Sequence, residues 1–254
     1  MQSNWDLDFI TRDELKKHIK KTMKEYGEIL KSINLKKFNS NLIDPIKLTF
    51  DSKIYNKEFK QLITEEISRQ RDKSNNNAIG YFHQNIFDYI KKCEVQDEGF
   101  DVIFETENSK IYIEMKNKHN TMNSSSSQKT YMKMQSLLLR EPNAECYLVE
   151  VIARRSQNIV WSMQVDKVKY SDERIRRVSI DQFYSKVTND VNAFKKICDK
   201  LPLLIDEILT ETPSLSVQVD TVFDEIIELD SNYNRALYKL SFGTYLGFTD
   251  EVQG

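Results

Sequence analysis

Asp101, Glu114 and Lys116 are two carboxylates and an amine that lie close together in the chain. Residues 100–104 are short, apolar and rich in strand formers. Residues 110–116 alternate, with Ile111, Ile113 and Met115 on one side and Tyr112, Glu114 and Lys116 on the other, the pattern of a half-buried strand. The polar segment 105–109 suits a turn. A hairpin centred between Glu107 and Asn108 sets Asp101 directly opposite Glu114, on one sheet face. Lys116, two residues on, shares that face. A slip of one residue would break the alignment. Magnesium prefers oxygen ligands, keeps several waters and takes one or two protein carboxylates, with phosphate completing its shell. Asp101 and Glu114 could supply those carboxylates, and the backbone carbonyl of Met115 could reach the same ion. Such an ion lowers the pKa of bound water and stabilises charge on a phosphoryl group, while Lys116 could orient that water or offset developing negative charge. This is the chemistry of phosphodiester hydrolysis. The same residues also fit a plain account, an exposed strand face on which Glu114 and Lys116 form a solvated ion pair. The setting favours a site: Gly99 precedes the Asp by two, Glu-x-Lys ends the alternating strand, and a helical stretch precedes both.

The chain has 254 residues, 30% charged and 39% hydrophobic, with a formal net charge of −2. That length can bury a good core. No apolar run approaches a membrane span, and the N-terminus lacks the basic-then-apolar order of a secretion signal. Cys93, Cys146 and Cys198 are scattered, odd in number and without zinc spacing, which fits reduced core cysteines of a cytoplasmic protein. Charge is unevenly spread. Residues 110–177 carry 13 Lys and Arg against 7 Asp and Glu, and residues 189–254 carry 5 against 12. A basic middle permits contact with a polyanion on one side of a near-neutral molecule.

Helical periodicity covers residues 6–38, with an N-cap pattern at Thr11 and an apolar stripe of Leu15, Ile19, Met23, Tyr26 and Leu30. Residues 39–51, with Pro45, read as a connection, and 57–71 as helix. Glu65 and Glu66 fall on its solvated face, and the segment 68–71 could contact phosphates. Residues 74–77 read as a polar loop with N-cap chemistry, followed by a helix over 78–92 that stacks Ile79, Phe82, Ile86 and Ile90. Gln84 lies off that stripe. Gly80 and Gly99 flank the proposed site, which points to close backbone or phosphate approach. After Lys116 comes a polar run to Ser127. By composition it is a linker, but leaving the end of the site strand it suits a DNA-facing loop, where Lys118 and His119 meet phosphates and Asn and Ser side chains meet base edges. A helix over 128–140 and buried strands over 146–152 and 159–165 follow. Glu150 inside the first of these must find a partner if buried. Arg154 and Arg155 at its end are candidate DNA contacts. Residues 181–254 read as helices over 183–204, 219–229 and 233–246, punctuated by Pro202 and Pro213.

With these residues in place, Asp101…Glu114-x-Lys116 resembles the PD-(D/E)XK nuclease motif, Gly99-Phe100 standing where a Pro is usual. Residues 75–85 and 116–126 together resemble type II restriction endonucleases of the SinI kind. The resemblance covers residues 64–165. It implies a restriction-endonuclease-like core, in keeping with the order of elements, which reads as an α/β (α+β) fold of mixed β-sheet flanked by helices; the helical N- and C-terminal regions rest on their periodicity alone. The matching division is 1–74, 75–180 and 181–254, packed as one unit. It also implies Mg2+ as cofactor, cleavage of double-stranded DNA at a GGWCC or GGNCC palindrome to 5′-phosphate and 3′-hydroxyl ends, a homodimer, and a DNA methyltransferase acting on the same site. Gln84 takes the place of the helix Glu or Gln that helps hold the metal site in that superfamily. The DNA-binding set it implies is Asn76, Asn77, Lys118, His119, Asn120, Asn123, Ser124, Ser125, Arg154 and Arg155. Two other classes keep the same motif: a repair or recombination nuclease that reads structure or damage, and a DNA-binding protein with a decayed site.

Overall fold

The hairpin around residues 107–108 forms, in the expected register. The computed structural model describes residues 5–165, 167–211 and 219–244. In it β2 (Val102–Glu105) and β3 (Lys110–Lys118) pair antiparallel, with Val102 opposite Ile113 and Glu105 opposite Lys110. The same register continued by one residue sets Asp101 across from Glu114, and the Asp101 N–H donates to the Ile113 carbonyl at 2.9 Å.

This hairpin lies in a six-stranded mixed sheet of order β1-β2-β3-β4-β6-β5, built with β1 (Cys93–Val95), β4 (Glu145–Ile152), β5 (Asn158–Val165) and β6 (Val168–Ser179). β4 runs parallel to both β3 and β6, and β5 closes the edge antiparallel to β6. A parallel pair needs a crossover, and α5 (Ser124–Arg140) supplies it between β3 and β4. The mixed sheet flanked by helices is the expected fold class. β6 does not show in the sequence pattern, because Lys169, Asp172, Glu173, Arg174, Arg176 and Arg177 mask its apolar positions. Only Ile175 and Val178 of its apolar side chains are buried.

The two sheet faces differ in character. Ile111, Ile113 and Met115 join Tyr147, Val149 and Val178 in a core with α1 (Arg12–Ile29), α6 (Ile180–Thr188) and α7 (Ala193–Glu211). Tyr112, Cys146, Leu148 and Ile175 pack on the opposite face against Tyr131, Met134, Leu137 and Leu138 of α5. Asp101, Glu114 and Lys116 share this second face.

Contacts divide the described residues into two compact units, one within Met1–Met23 and Ala78–Pro213 and the other within Lys24–Asn77 and Ser214–Gly254. The division falls inside α1 and α4 (Phe59–Asn85). The second unit has its own core, in which Phe38, Leu48, Leu62, Ile63 and Ile67 meet Val222, Ile226 and Leu237. There Arg71 is bound to Asp220 at 2.7 and 2.9 Å and Gln70 is buried, so this part of the segment 68–71 braces the fold.

Several boundaries differ from expectation, each for a local reason. The first helix stops at Ile29, and Asn34, whose side chain accepts the Lys37 N–H, starts α2 (Leu35–Asn39) afresh. Pro45 opens a helix, α3 (Pro45–Tyr55), with Asp44 as its cap. Proline in a first turn loses only an N–H that had no helical partner. Residues 74–77 continue α4: Ser74 bonds back to the Gln70 carbonyl and Asn76 to Asp72, each four residues earlier. The Ser124–Ser127 run is helix, because Asn123 accepts the Ser126 N–H and caps α5. The expected helix over 183–204 breaks at Asn189, which caps α6 in the left-handed region, and Pro202 sits within α7. α8 (Val222–Leu229) and α9 (Tyr233–Phe242) follow. Pro213 and Leu246 lie outside the described residues. Cys198 is exposed and so is no core residue. No helix among the described residues is long and apolar enough to cross a membrane.

Ile113 is fully buried at the centre of β3. Ile113→Ala is expected to cost about 2–5 kcal/mol, the range for truncating a packed core residue, read as a lowered urea midpoint.

Candidate active site

Asp101 is held by main chain at three points. Its N–H is held by Ile113, its carbonyl accepts the Gln96 N–H at 3.1 Å, and its Oδ2 accepts the Met115 N–H at 2.6 Å. Gly99, two residues before it, has φ 90, a region that costs glycine little and other residues much. Gln84, near the end of α4, donates its amide to the carbonyls of Asp101 at 3.3 Å and Gln96 at 3.4 Å. It therefore acts on the backbone that carries the acid. Gly80 lies beside Asn117, with ordinary van der Waals room for a Cβ.

Glu114 is largely buried, and both of its oxygens are held by ammonium groups. Lys116 Nζ reaches Oε1 at 2.7 Å and Lys133 Nζ reaches Oε2 at 2.8 Å. Lys133 comes from α5, also donates to the Gly99 carbonyl at 2.6 Å, and lies 4.1 Å from the centre of the Phe100 ring. It was not among the residues expected from sequence. Its only signal there is its place beside Met134 on the edge of the buried stripe of α5.

The two acids respond oppositely to this setting. Asp101 is pushed above its ordinary value by burial, and the neighbouring Glu114 charge adds to the rise, against the Met115 N–H and the two lysines. Burial also acts to raise Glu114, but its bonds to Lys116 and Lys133 outweigh that and leave it below its ordinary value. Two acids, two ammonium groups and the Met115 backbone thus occupy one partly desolvated region. The oxygen-rich pair suits a hard divalent cation. No group of three or more His, Cys, Asp or Glu with metal-holding geometry occurs among the described residues, so waters or phosphate would have to fill the remaining positions.

A second polar cluster adjoins the first. Lys116 pairs in register with Glu150 of β4, and Glu150 is 1% exposed. Its partners are His119, Nδ1 to Oε2 at 3.0 Å, and Arg177 of β6, whose Nε lies 2.8 Å from Oε1 and whose Nη2 also binds that oxygen. Arg177 also donates to the His119 carbonyl at 3.2 Å. Arg177 was missed with the rest of β6. His119 is thus oriented by a buried carboxylate, with its ring partly exposed.

Of the other expected DNA contacts, Lys118 and Asn120 are exposed at the end of β3 and the turn after it, and Ser124 and Ser125 are exposed in the first turn of α5. Asn123 uses its side-chain oxygen as the cap of that helix. Arg154 and Arg155 are exposed in the turn between β4 and β5. Asn76 and Asn77 are exposed in α4, within the second unit.

Comparison with known proteins shows a match between residues 7–210 and the family described as Eco47II restriction endonuclease. The type II restriction enzyme Sau96I of Staphylococcus aureus is 29% identical over 92% of this chain and 93% of its own length. The type II restriction enzyme Eco47II of Escherichia coli is 25% identical over 81% of this chain and 89% of its own.

Two stability effects follow from this geometry. Glu150→Ala would leave Arg177 without its buried counter-charge and His119 without its hydrogen-bond partner, and breaking a buried pair costs about 3–5 kcal/mol, visible as a fall in urea midpoint. Asp101→Asn in metal-free protein is expected to act the other way. The folded pKa lies above the ordinary 3.8, so the ionised carboxyl costs stability at neutral pH. That cost appears as pH rises through the unfolded value, is complete above the folded one, and is absent below both. Asp101→Asn should melt above wild type at pH 7, and the gap should close as pH falls below about 4.

Proposed function

The chain belongs to the Eco47II restriction endonuclease family, whose relatives are type II restriction enzymes, and from that premise we propose a magnesium-dependent nuclease of PD-(D/E)XK type acting at a GGWCC or GGNCC palindrome in double-stranded DNA. The observation that carries this reading is the meeting of Asp101, Glu114 and Lys116 on one sheet face. Asp101 and Glu114, with the Met115 carbonyl, would hold the cation. When bound, the cation supplies an activated water and neutralises charge on the phosphoryl group. The chain's own groups do the positioning. The Met115 N–H fixes one Asp101 oxygen, Gln84 secures the Asp101 backbone, and the Lys116 ammonium offsets the negative charge that develops on the phosphate. Lys118, His119, Arg154 and Arg155 offer phosphate contacts, and Asn120, Ser124 and Ser125 offer groups for base edges. Asn123 belongs to the same proposed set, and Asn76 and Asn77 are proposed DNA contacts carried by the second unit.

A palindromic site calls for a two-fold dimer, with each subunit cutting one strand. A methyltransferase modifying the same sequence would protect the host, as restriction requires. Phosphate contacts make the affinity fall with salt.

The test is incubation of purified protein with phage DNA and Mg2+, followed by sequencing of the fragment ends. Discrete fragments with one shared GGWCC or GGNCC sequence and 5′-phosphate ends are expected. Asp101→Ala and Lys116→Ala should each abolish cutting while duplex binding persists in a gel-shift assay. Retained Mg2+-dependent cutting by either variant, or ends without a common sequence, would overturn the reading.

A further inference from the structure

The position of Lys133 has a consequence for how ligands enter the site. Both Glu114 oxygens are engaged by ammonium groups, so a cation approaching that carboxylate competes with them for its lone pairs and meets their positive charge. Lys116 is adjacent on the same strand. Lys133 reaches in from α5, its side chain 37% exposed against 14% for Glu114. It has two further anchors, the Gly99 carbonyl and the Phe100 ring, and can keep these while releasing Glu114. In the DNA-free protein two carboxylates face two ammonium groups, so the site is already balanced. A divalent cation alone adds two uncompensated positive charges. A phosphodiester brings negative charge and gives Lys133 a new partner.

We propose that Lys133 is a built-in competitor for the metal position. It occupies Glu114 in the free protein and transfers to backbone phosphate when DNA enters, which couples cation binding to DNA binding. This inference rests on the metal site proposed above. Lys133 is a positioning residue in this role, acting on the cation through Glu114. The coupling is reciprocal: whatever factor DNA adds to cation affinity, the cation adds to DNA affinity.

The experiment is calorimetric titration of Ca2+ into metal-free protein, with and without a duplex that the wild-type enzyme cuts, for wild type, Lys133→Met and Asp101→Asn. Ca2+ is the probe because it is a hard, oxygen-seeking cation, and the readout is binding rather than cleavage. In wild type, duplex should tighten Ca2+ binding by a factor in the roughly 5–150-fold range of allosteric couplings. Lys133→Met should tighten Ca2+ binding to the duplex-free protein by about five-fold or more, and the duplex effect should shrink by a similar factor. Lys133→Gln, which keeps a donor for the Gly99 carbonyl without the charge, should behave as Lys133→Met does and serves where the latter fails to fold. Unchanged or weaker Ca2+ binding in folded Lys133→Met or Lys133→Gln protein would overturn the proposal. Wild-type Ca2+ binding that survives Asp101→Asn undiminished would instead overturn the metal site itself.

Discussion

Two carboxylates facing each other across an antiparallel pair repel, and partial burial strengthens the repulsion because the charges are less screened than in water. Asp101 and Glu114 are held in this relation by the register of β2 and β3, and much of the surrounding structure bears its cost. Asp101 cannot swing away, because its N–H, its carbonyl and one side-chain oxygen all engage main chain. Glu114 is clasped by two ammonium groups from different elements. The outcome is asymmetric. Glu114 is the settled anion, and Asp101 is the strained one whose ionisation burial and its neighbour oppose. An arrangement that stability alone would not favour is a mark of a functional site.

The same device recurs one strand over. Glu150 is almost fully buried, compensated by Arg177 and hydrogen-bonded to His119. Lys116, beside Glu150 in register, therefore stands between two acid clusters on the α5 face. On the other face of the same strands, Ile111, Ile113, Met115 and Val149 pack into the larger core. Strand alternation thus divides labour: Ile111, Ile113 and Met115 of β3 anchor the larger core, while on the other face Tyr112 packs against α5 and Glu114 and Lys116 carry charge.

How much of this could be read beforehand depended on whether a single element carried the signal. The β2–β3 register was legible because β3 alternates cleanly and its turn is polar and short, so the pairing of Asp101 with Glu114 needed no other part of the fold. β6 was not legible, since its charged residues are long side chains whose role as strand is set by pairing with β4 and β5. Asparagine and proline misled where a neighbour decided the outcome. Asp44 turned Pro45 into a helix start, and the residues four positions before Ser74 and Asn76 took up their side chains within α4. In the 116–127 run composition said linker, whereas the capping bond of Asn123 made its last four residues helix.

Lys133 is illegible for a different reason. Helical periodicity places it at the margin of a buried stripe and says nothing of what lies beyond. Topology does. Because β3 and β4 are parallel, the chain between them must cross over a face of the sheet, and the apolar stripe of Tyr131, Met134, Leu137 and Leu138 docks on the face that carries Tyr112, Cys146 and Leu148. That is the face of Glu114 and Lys116. A long side chain at the edge of this stripe then overhangs the acids of the hairpin. The lysine that completes the charge balance is therefore a product of strand order, joining a helix to a hairpin that lies before it in the chain.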